Sequence, residues 1–363
     1  MFVEITNSPR DYAWGSTTLI PQLLGVAPDG RPQAEIWLGT HPSSPSRLVG
    51  RDGDLRDVAG ELPFLLKILA AGSPLSLQAH PTTAQAREGF ARENAAGIPL
   101  DAPWRNYKDP YAKPEMLYAL SDGFRALCGF RPVAETRAVL DAVDPDLLPE
   151  LRTDADIRPV FGWLLSGDRA VAATVAAVSA AARDADGESW RTVRGLVEHY
   201  PGDPGIAISL LLHSVVLRRG EALYLPAGNI HAYQEGLGVE LMGPSDNVLR
   251  GGLTSKHVDV PELLTVLDFR ALPAPRLEPV DENGVAVFAP EGAGWRLRVA
   301  RGGALRVAGP GILLVVAGAV GTRGPGSAAY VVDETIEVPE GAIAVVASQT
   351  AMRSSSRQLN VRR

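Results

Sequence analysis

Cysteine is almost missing from this 363-residue chain, which contains Cys128 alone. A single thiol excludes a disulfide within the chain and a zinc motif built on cysteine pairs. The chain also lacks a long basic run and has a net charge of −7, so nucleic acid is not an expected partner. The most apolar run, "GILLVVAGAVG" from Gly311, is far shorter than a membrane span, and the N-terminus has no apolar signal-peptide segment. We therefore expect a cytoplasmic protein without a membrane partner.

Glycine and proline are abundant, at 37 and 29 residues, and they punctuate many short β-type runs. Such runs fill residues 1–130 and return over 205–270, whereas residues 131–204 have helical spacing. Residues 271–363 are dense in valine and glycine, which is typical of a sandwich or jelly roll. The sequence predicts a mainly β protein with an α insertion. Its three domains would be 1–130 plus 205–270, 131–204, and 271–363.

Two short segments of the first β-type region carry paired polar side chains. Gln78 and His80 in "LSLQAHP" would share one face of a strand, and so would Lys113 and Glu115 in "YAKPEM". Pro114 favours an extended Lys113 because it disfavours the helical region for the residue before it. Taken alone, each pair is most often a solvated pair or the polar end of a strand.

Two later segments add further polar groups. In "YLPAGNIHAY" a strand runs into a tight turn and then His231, an order that recurs in cupin β-barrels. The glycine-rich segment 238–260 contains Glu240, Asp246, Arg250 and Lys256. Gln78, His80, Glu115 and His231 together would supply four nitrogen or oxygen donors. Two imidazoles and a carboxylate suit Zn²⁺, although an amide oxygen is an unusual zinc ligand.

These segments, with "DYAWGS" and "LPFLLKILAAGSPLSLQAHP", resemble type I mannose-6-phosphate isomerases (phosphomannose isomerases) in order and rough spacing. The resemblance implies a cupin-like jelly-roll catalytic domain, an inserted helical domain and a second, cupin-like β-barrel at the C-terminus. It also implies a zinc-dependent enzyme, with one Zn²⁺ per chain, that interconverts D-mannose 6-phosphate and D-fructose 6-phosphate through a cis-enediol. A monomer is expected, with a weak homo-oligomer as the alternative.

The resemblance assigns roles to individual residues. The zinc ligands would be Gln78, His80, Glu115 and His231. The catalytic residues would be Arg250, Lys113 and Asp246. The residues that contact the substrate or its phosphate would be Ser76, Lys67, Lys256 and Trp14.

One position departs from part of the family. Some bacterial members have a histidine immediately before the "KPE" lysine, where this chain has Ala112. That histidine therefore cannot be the acid–base group here, which shifts weight to Lys113. Two other functions stay open from the residues: a cupin that binds a sugar phosphate without turning it over, and a metal cupin such as an oxygenase, since iron also uses two histidines and a carboxylate.

Overall fold

The computed structural model describes residues 1–350, and strands outweigh helices among them. This confirms the predicted class, mainly β with an α insertion. The strands are β1 (Phe2–Thr6), β2 (Glu35–Leu38), β3 (Arg47–Leu48), β4 (Leu65–Ala71), β5 (Gln78–Ala79), β6 (Glu115–Ala119), β7 (Phe124–Phe130), β8 (Leu212–Leu217), β9 (Ala222–Leu225), β10 (His231–Met242), β11 (Leu249–Arg250), β12 (Arg276–Leu277), β13 (Val280–Glu282), β14 (Val285–Phe288), β15 (Trp295–Ala300), β16 (Gly303–Ala317), β17 (Ala328–Val338) and β18 (Ile343–Gln349). The α-helices are α1 (Leu19–Leu24), α2 (Arg56–Ala59), α3 (Thr83–Ala95), α4 (Val133–Asp141), α5 (Ile157–Leu164), α6 (Arg169–Ala181), α7 (Glu188–His199), α8 (Gly205–Ile208) and α9 (Val260–Val266).

The first of two sheets has ten strands, and the long strand β10 pairs with four of them. Its second half pairs with β4 and β6, and its first half pairs with β5 and β7. One set of strands therefore runs β2-β4-β10-β6-β9-β12, and the other runs β11-β5-β10-β7-β8. Strand β10 belongs to both sets and therefore joins them.

Gly236 lies where β10 changes partners. Its φ of +124° lies in a region that side chains rarely adopt, and a Cβ at this position would lie 2.9 Å from the Phe124 Cα atom. The register of β10 against β7 shifts between Tyr233 and Glu235, just before this glycine. Glycine is therefore required at the point where the strand bends from one set to the other.

The helices α4 to α7 lie between β7 and β8 in the chain. Each buries an apolar stripe, as in α5, where Val160, Phe161 and Leu164 face inward. They share a core with residues of the β11-β5-β10-β7-β8 set, including Leu127 and Ala232. Within residues 1–350 no single helix is long and apolar enough to cross a membrane, and only the pair Asp154–Leu164 and Arg169–Ala181, bent by 109°, meets the length and composition test together.

The second sheet has eight strands in the order β13-β14-β15-β18-β16-β17-β1-β3. The N-terminal strand β1 pairs with β17, so the start of the chain adds to this C-terminal sheet rather than to the ten-stranded one. The two sheets share an apolar core in which Ile68 and Val239 of the first pack with Trp295 and Ile312 of the second. The domain limits given above remain our prediction.

Candidate metal centre and cavity

Three buried side chains converge near the ends of three strands. His80 follows β5, Glu115 begins β6 and His231 begins β10. His80 Nε2 lies 3.2 Å from Glu115 Oε1, and His231 Nε2 lies 3.1 Å from Glu115 Oε2. One ligand atom from each of the three lies within 4.8 Å of the other two, an arrangement that could hold a metal ion.

The outer nitrogens of both imidazoles have backbone partners. His80 Nδ1 lies 2.6 Å from the Asn247 carbonyl oxygen, and His231 Nδ1 lies 3.0 Å from the Asn229 carbonyl oxygen. A carbonyl can only accept, so each Nδ1 holds the proton and each Nε2 keeps its lone pair for the centre. The two Nε2 atoms and Glu115 Oε2 are buried without a hydrogen-bond partner. Such unsatisfied buried atoms are costly unless a cation binds there, so the residues fit a metal ion.

The protonation states of the cluster also suit a cation. Burial, with the nearby Lys113 ammonium, lowers the pKa of His80 to about 4, so its ring is neutral at neutral pH. Burial opposes ionisation of Glu115, but Lys113 and His80 outweigh it and hold the pKa of that carboxyl well below its usual range. Lys113 Nζ lies 2.8 Å from Glu115 Oε1.

Gln78 and Arg250 lie beside the cluster in a cross-strand row. Arg250 on β11 is opposite Gln78 on β5, and Gln78 is opposite His231 on β10. Directly opposite residues of antiparallel strands point to the same face of a sheet. The row therefore places an amide and a guanidinium next to the His231 imidazole.

The turn before β10 fixes the position of His231 relative to His80. Gly228, in "PAGN", has a φ of +81°, and its N–H donates to the His80 carbonyl oxygen at 2.8 Å. A Cβ at this glycine would lie 3.0 Å from the Val266 carbonyl oxygen. The turn thus joins the two histidine-bearing segments directly, which explains the proline–glycine spacing seen in the sequence.

A cavity of about 650 Å³ opens over the cluster. Nine of the eleven predicted site residues line it: Trp14, Lys67, Ser76, Gln78, Lys113, Glu115, Asp246, Arg250 and Lys256. The other two, His80 and His231, lie behind Glu115. The chain has only four lysines, and three of them line this cavity. Sequence interpretation therefore names residues that the structure brings together.

Lys67 differs from the other cations of the cavity. Its Nζ lies 3.0 Å from Glu240 Oε2 and 3.4 Å from Glu35 Oε1, and all three side chains are more than nine-tenths buried. Burial disfavours its charge, but the two carboxylates outweigh burial and raise the pKa of Lys67. The pKa values of Arg250 and Lys256 are instead lowered, because burial disfavours the charge of each.

Hydrogen bonds to Asp109 hold the loop that carries Asp246. Ser245 Oγ and the Asp246 N–H donate to the Asp109 carboxylate, at 2.8 and 2.9 Å. Asn247 Nδ2 donates to the Asp109 carbonyl oxygen at 2.8 Å, while the Asn247 carbonyl contacts His80. The Asp246 loop and the histidine cluster are therefore mechanically linked.

Sequence interpretation did not include Glu35, Trp37, His41, Tyr233 and Glu240 among the site residues, yet all five line the cavity. Glu240 was named with its glycine-rich segment but received no role, and Glu35 was not named, because a carboxylate within a β-type run is usually assigned to the solvent side. The usable signal was a charged residue inside two otherwise continuous apolar runs, "AEIWLG" and "GVELM".

The fold and the cluster define a cupin whose β-strands present two histidines and one carboxylate, a cluster that could hold a metal ion, at the base of a cavity. The family model for the type I phosphomannose isomerase catalytic domain matches residues 2–133. The chain is 42% identical over 313 residues to mannose-6-phosphate isomerase of Escherichia coli, which covers 78% of this chain and 80% of that enzyme. It is 30% identical over 313 residues to the human enzyme of that name, covering 72% and 71%. The chain belongs to the mannose-6-phosphate isomerase family.

Solved structures agree with this membership. A mannose 6-phosphate isomerase bound with zinc and yttrium superposes with a TM-score of 0.88 at 33% identity, covering 96% of this chain and all of that one. The apo form from Salmonella typhimurium gives 0.87 at 32% identity, covering 96% and 99%. The predicted cupin architecture is thereby confirmed.

Proposed function

We propose that the chain is a zinc-dependent aldose–ketose isomerase that interconverts D-mannose 6-phosphate and D-fructose 6-phosphate. The observation that carries the proposal is the unsatisfied His80, Glu115 and His231 cluster below a cavity lined by lysine and arginine, in a chain of this family. The centre suits a metal that acts on sugar oxygens, and the cations suit a phosphate. Neither feature alone would specify this reaction.

His80, Glu115 and His231 would hold the zinc ion, and Gln78 would supply the fourth donor from the adjacent strand. This set has no thiolate and a single carboxylate, so the bound ion keeps net positive charge. When bound, zinc polarises the oxygens at the reacting end of the sugar and stabilises enediol charge. The remaining steps belong to side chains of the chain itself.

Proton transfer would fall to Asp246 and Lys113. The reaction moves a proton between C2 and C1 and another between the two oxygens. Asp246 presents a carboxylate in the cavity that can accept a proton, and Lys113 Nζ, held by Glu115, can donate one to a sugar oxygen. Arg250 adds fixed donors beside the metal centre, where negative charge develops on oxygen.

The phosphate would bind at the rim of the cavity, away from the metal. Lys256 is exposed there, and Ser76 adds a hydroxyl donor. The family resemblance assigns Lys67 to the phosphate, but its ammonium is already paired with two buried carboxylates. We therefore propose that Lys67 holds Glu35 and Glu240 in the cavity wall, while Trp14 lines the sugar site.

We also propose that the protein acts as a monomer in the cytoplasm. The residues that would hold the metal, the sugar and the phosphate all come from a single chain in this proposal. The single thiol, Cys128, is free and buried, which suits a reducing compartment.

The test follows fructose 6-phosphate formation from mannose 6-phosphate in the purified protein, after chelation and again after Zn²⁺ is restored. Activity that is lost and regained with zinc supports the proposal. His80→Ala should lose both metal and activity, whereas His199→Ala, on helix α7 outside the cavity, serves as the matched control. A zinc-loaded protein that binds mannose 6-phosphate without converting it would instead indicate a sugar-phosphate-binding cupin.

A further inference from the structure

His41 is a cavity residue without a role in the proposed mechanism. The chain has six histidines, and the described residues 1–350 contain all of them. His80 and His231 belong to the metal centre. Of the other four, His41 alone lines the cavity. A buried imidazole in a reaction cavity is a candidate for handling protons.

The ring of His41 is fixed on three sides. Its side chain is 4% exposed, and it packs edge-on against the Trp37 ring with centroids 4.8 Å apart. The Ser43 N–H donates to His41 Nδ1 at 3.3 Å. Because Nδ1 accepts this bond, the neutral ring carries its proton on Nε2. His41 Nε2 lies 3.5 Å from Asp246 Oδ1.

Asp246 needs such a partner. Asp109 fixes its backbone through the N–H, but the Asp246 side chain is 48% exposed in the cavity. A carboxylate that accepts a proton from a bound sugar has to be aimed within tenths of an ångström. The 3.5 Å separation is long for a hydrogen bond, and catalytic hydrogen bonds of this kind often tighten only when substrate is bound.

We propose that His41 is a positioning residue for this isomerase, and that its Nε2–H holds the Asp246 carboxylate in the orientation from which it accepts the substrate proton. The inference rests on the proposed function, because it assigns His41 a role in that reaction.

The charges around His41 agree with a neutral donor. Burial lowers the pKa of His41 below 6.5; Asp246 and Asp109 raise it, and Lys67 and Lys113 lower it, with a net lowering. The ring is therefore uncharged at neutral pH, with the proton on Nε2 available to Asp246.

The first test compares two substitutions of the same residue. The amide nitrogen of glutamine can occupy the position of Nε2, whereas that of asparagine falls short. We expect His41→Asn to lower kcat by about tenfold or more with little change in KM. The reason is that a misoriented Asp246 carboxylate accepts the substrate proton less efficiently, whereas substrate binding does not depend on its orientation. His41→Gln should recover most of that loss. Equal activity of the two variants, high or low, overturns the role of the Nε2 donor.

The second test is a double-mutant cycle with Asp246→Asn. If His41 acts through Asp246, His41→Asn should cost nothing further in that background. Additive losses would contradict the proposal, and unchanged zinc content shows that the metal centre is intact in each variant.

The third test needs no variant. The ¹⁵N shifts of the six histidines in the zinc-loaded protein should show His41 neutral with its proton on Nε2 over roughly pH 7.5–8.5, where even an unshifted imidazole is about nine-tenths neutral. A proton on Nδ1 overturns the proposal even if the protein is an active isomerase. Failure of the wild-type protein to convert mannose 6-phosphate would instead refute the proposed function and leave the tautomer measurement standing.

Discussion

Lys67 Nζ and Glu240 Oε2 lie 3.0 Å apart in the wall of the cavity, on directly opposite positions of β4 and β10. Glu35 approaches the same ammonium at 3.4 Å, and its other oxygen accepts a hydrogen bond from Trp37 Nε1 at 2.7 Å. Two carboxylates and one ammonium are thus buried together. The stability of the cavity wall therefore depends on the attraction between Lys67 and the two carboxylates.

Removing the ammonium should destabilise the protein strongly. Lys67→Met leaves Glu35 and Glu240 buried without their counter-ion, and breaking a buried pair from one side costs about 3–5 kcal/mol. Urea unfolding monitored by circular dichroism measures the change. Glu291→Gln, at an exposed position, should stay within about 0.5 kcal/mol of wild type. Equal stability of Lys67→Met and wild type would mean that the buried charges are not coupled.

Gln78 should strengthen zinc binding without being required for it. Gln78→Ala leaves His80, Glu115 and His231 in place, so the ion should still bind, but at least about tenfold more weakly, since even outer contacts to a metal site have effects of this size. Competition with a chromophoric chelator gives the dissociation constant. A wild-type constant in this variant would remove Gln78 from the ligand set.

The phosphate assignment predicts a selective effect on KM. Lys256→Ala should raise KM for mannose 6-phosphate by about tenfold or more, the scale of a lost charge-assisted hydrogen bond, with a smaller effect on kcat. Arg87→Ala removes an exposed cation on α3, outside the cavity, and should leave KM unchanged. If both variants have the same KM, the phosphate binds elsewhere.

The metal-free protein should lose stability as the solution is acidified. The pKa of His80 is lowered to about 4 in the folded protein, against 6.5 for an unshifted imidazole. Between these values the unfolded chain binds the proton and the folded one does not, so stability falls as pH drops from 6.5 to about 4 and the contribution of His80 then levels off. Zinc affinity should fall in the same direction, because the ligand must be neutral.

Unfolding of the chelator-treated protein at several pH values gives the stability profile. His80→Gln, which has no titrating ring, should flatten the curve in this window. A wild-type curve that is already flat would mean that His80 is not buried neutral without the metal.

The sequence was sufficient for the local features of the fold. The helical spacing of residues 131–204 predicted the run of helices that the structure shows as α4 to α7. The partner of β1 could not be predicted, because nothing in the short segment Phe2–Thr6 identifies β17, at the other end of the chain, as its neighbour. Pairing between distant strands depends on the assembled core, which no short window of sequence contains.

Site residues that belong to a recognisable sequence motif could be predicted, whereas those placed in the site only by tertiary packing could not. His231 was found from the proline–glycine turn that precedes it, because that turn has a backbone requirement. His41 was missed because "GTHPSS" resembles an ordinary polar loop. Its relation to Asp246 arises only when strand β2 and the loop after β10 are brought to the same cavity.

The three atoms that would grip the ion come from β10, β6 and the residue after β5, widely separated along the chain. In an unfolded or newly made polypeptide these three groups are therefore far apart, and only Gln78 lies close to one of them along the chain. The complete set of ligands forms only in the folded protein, where the strands bring the three side chains together. Discrimination among divalent metals would then depend on the geometry of the folded site.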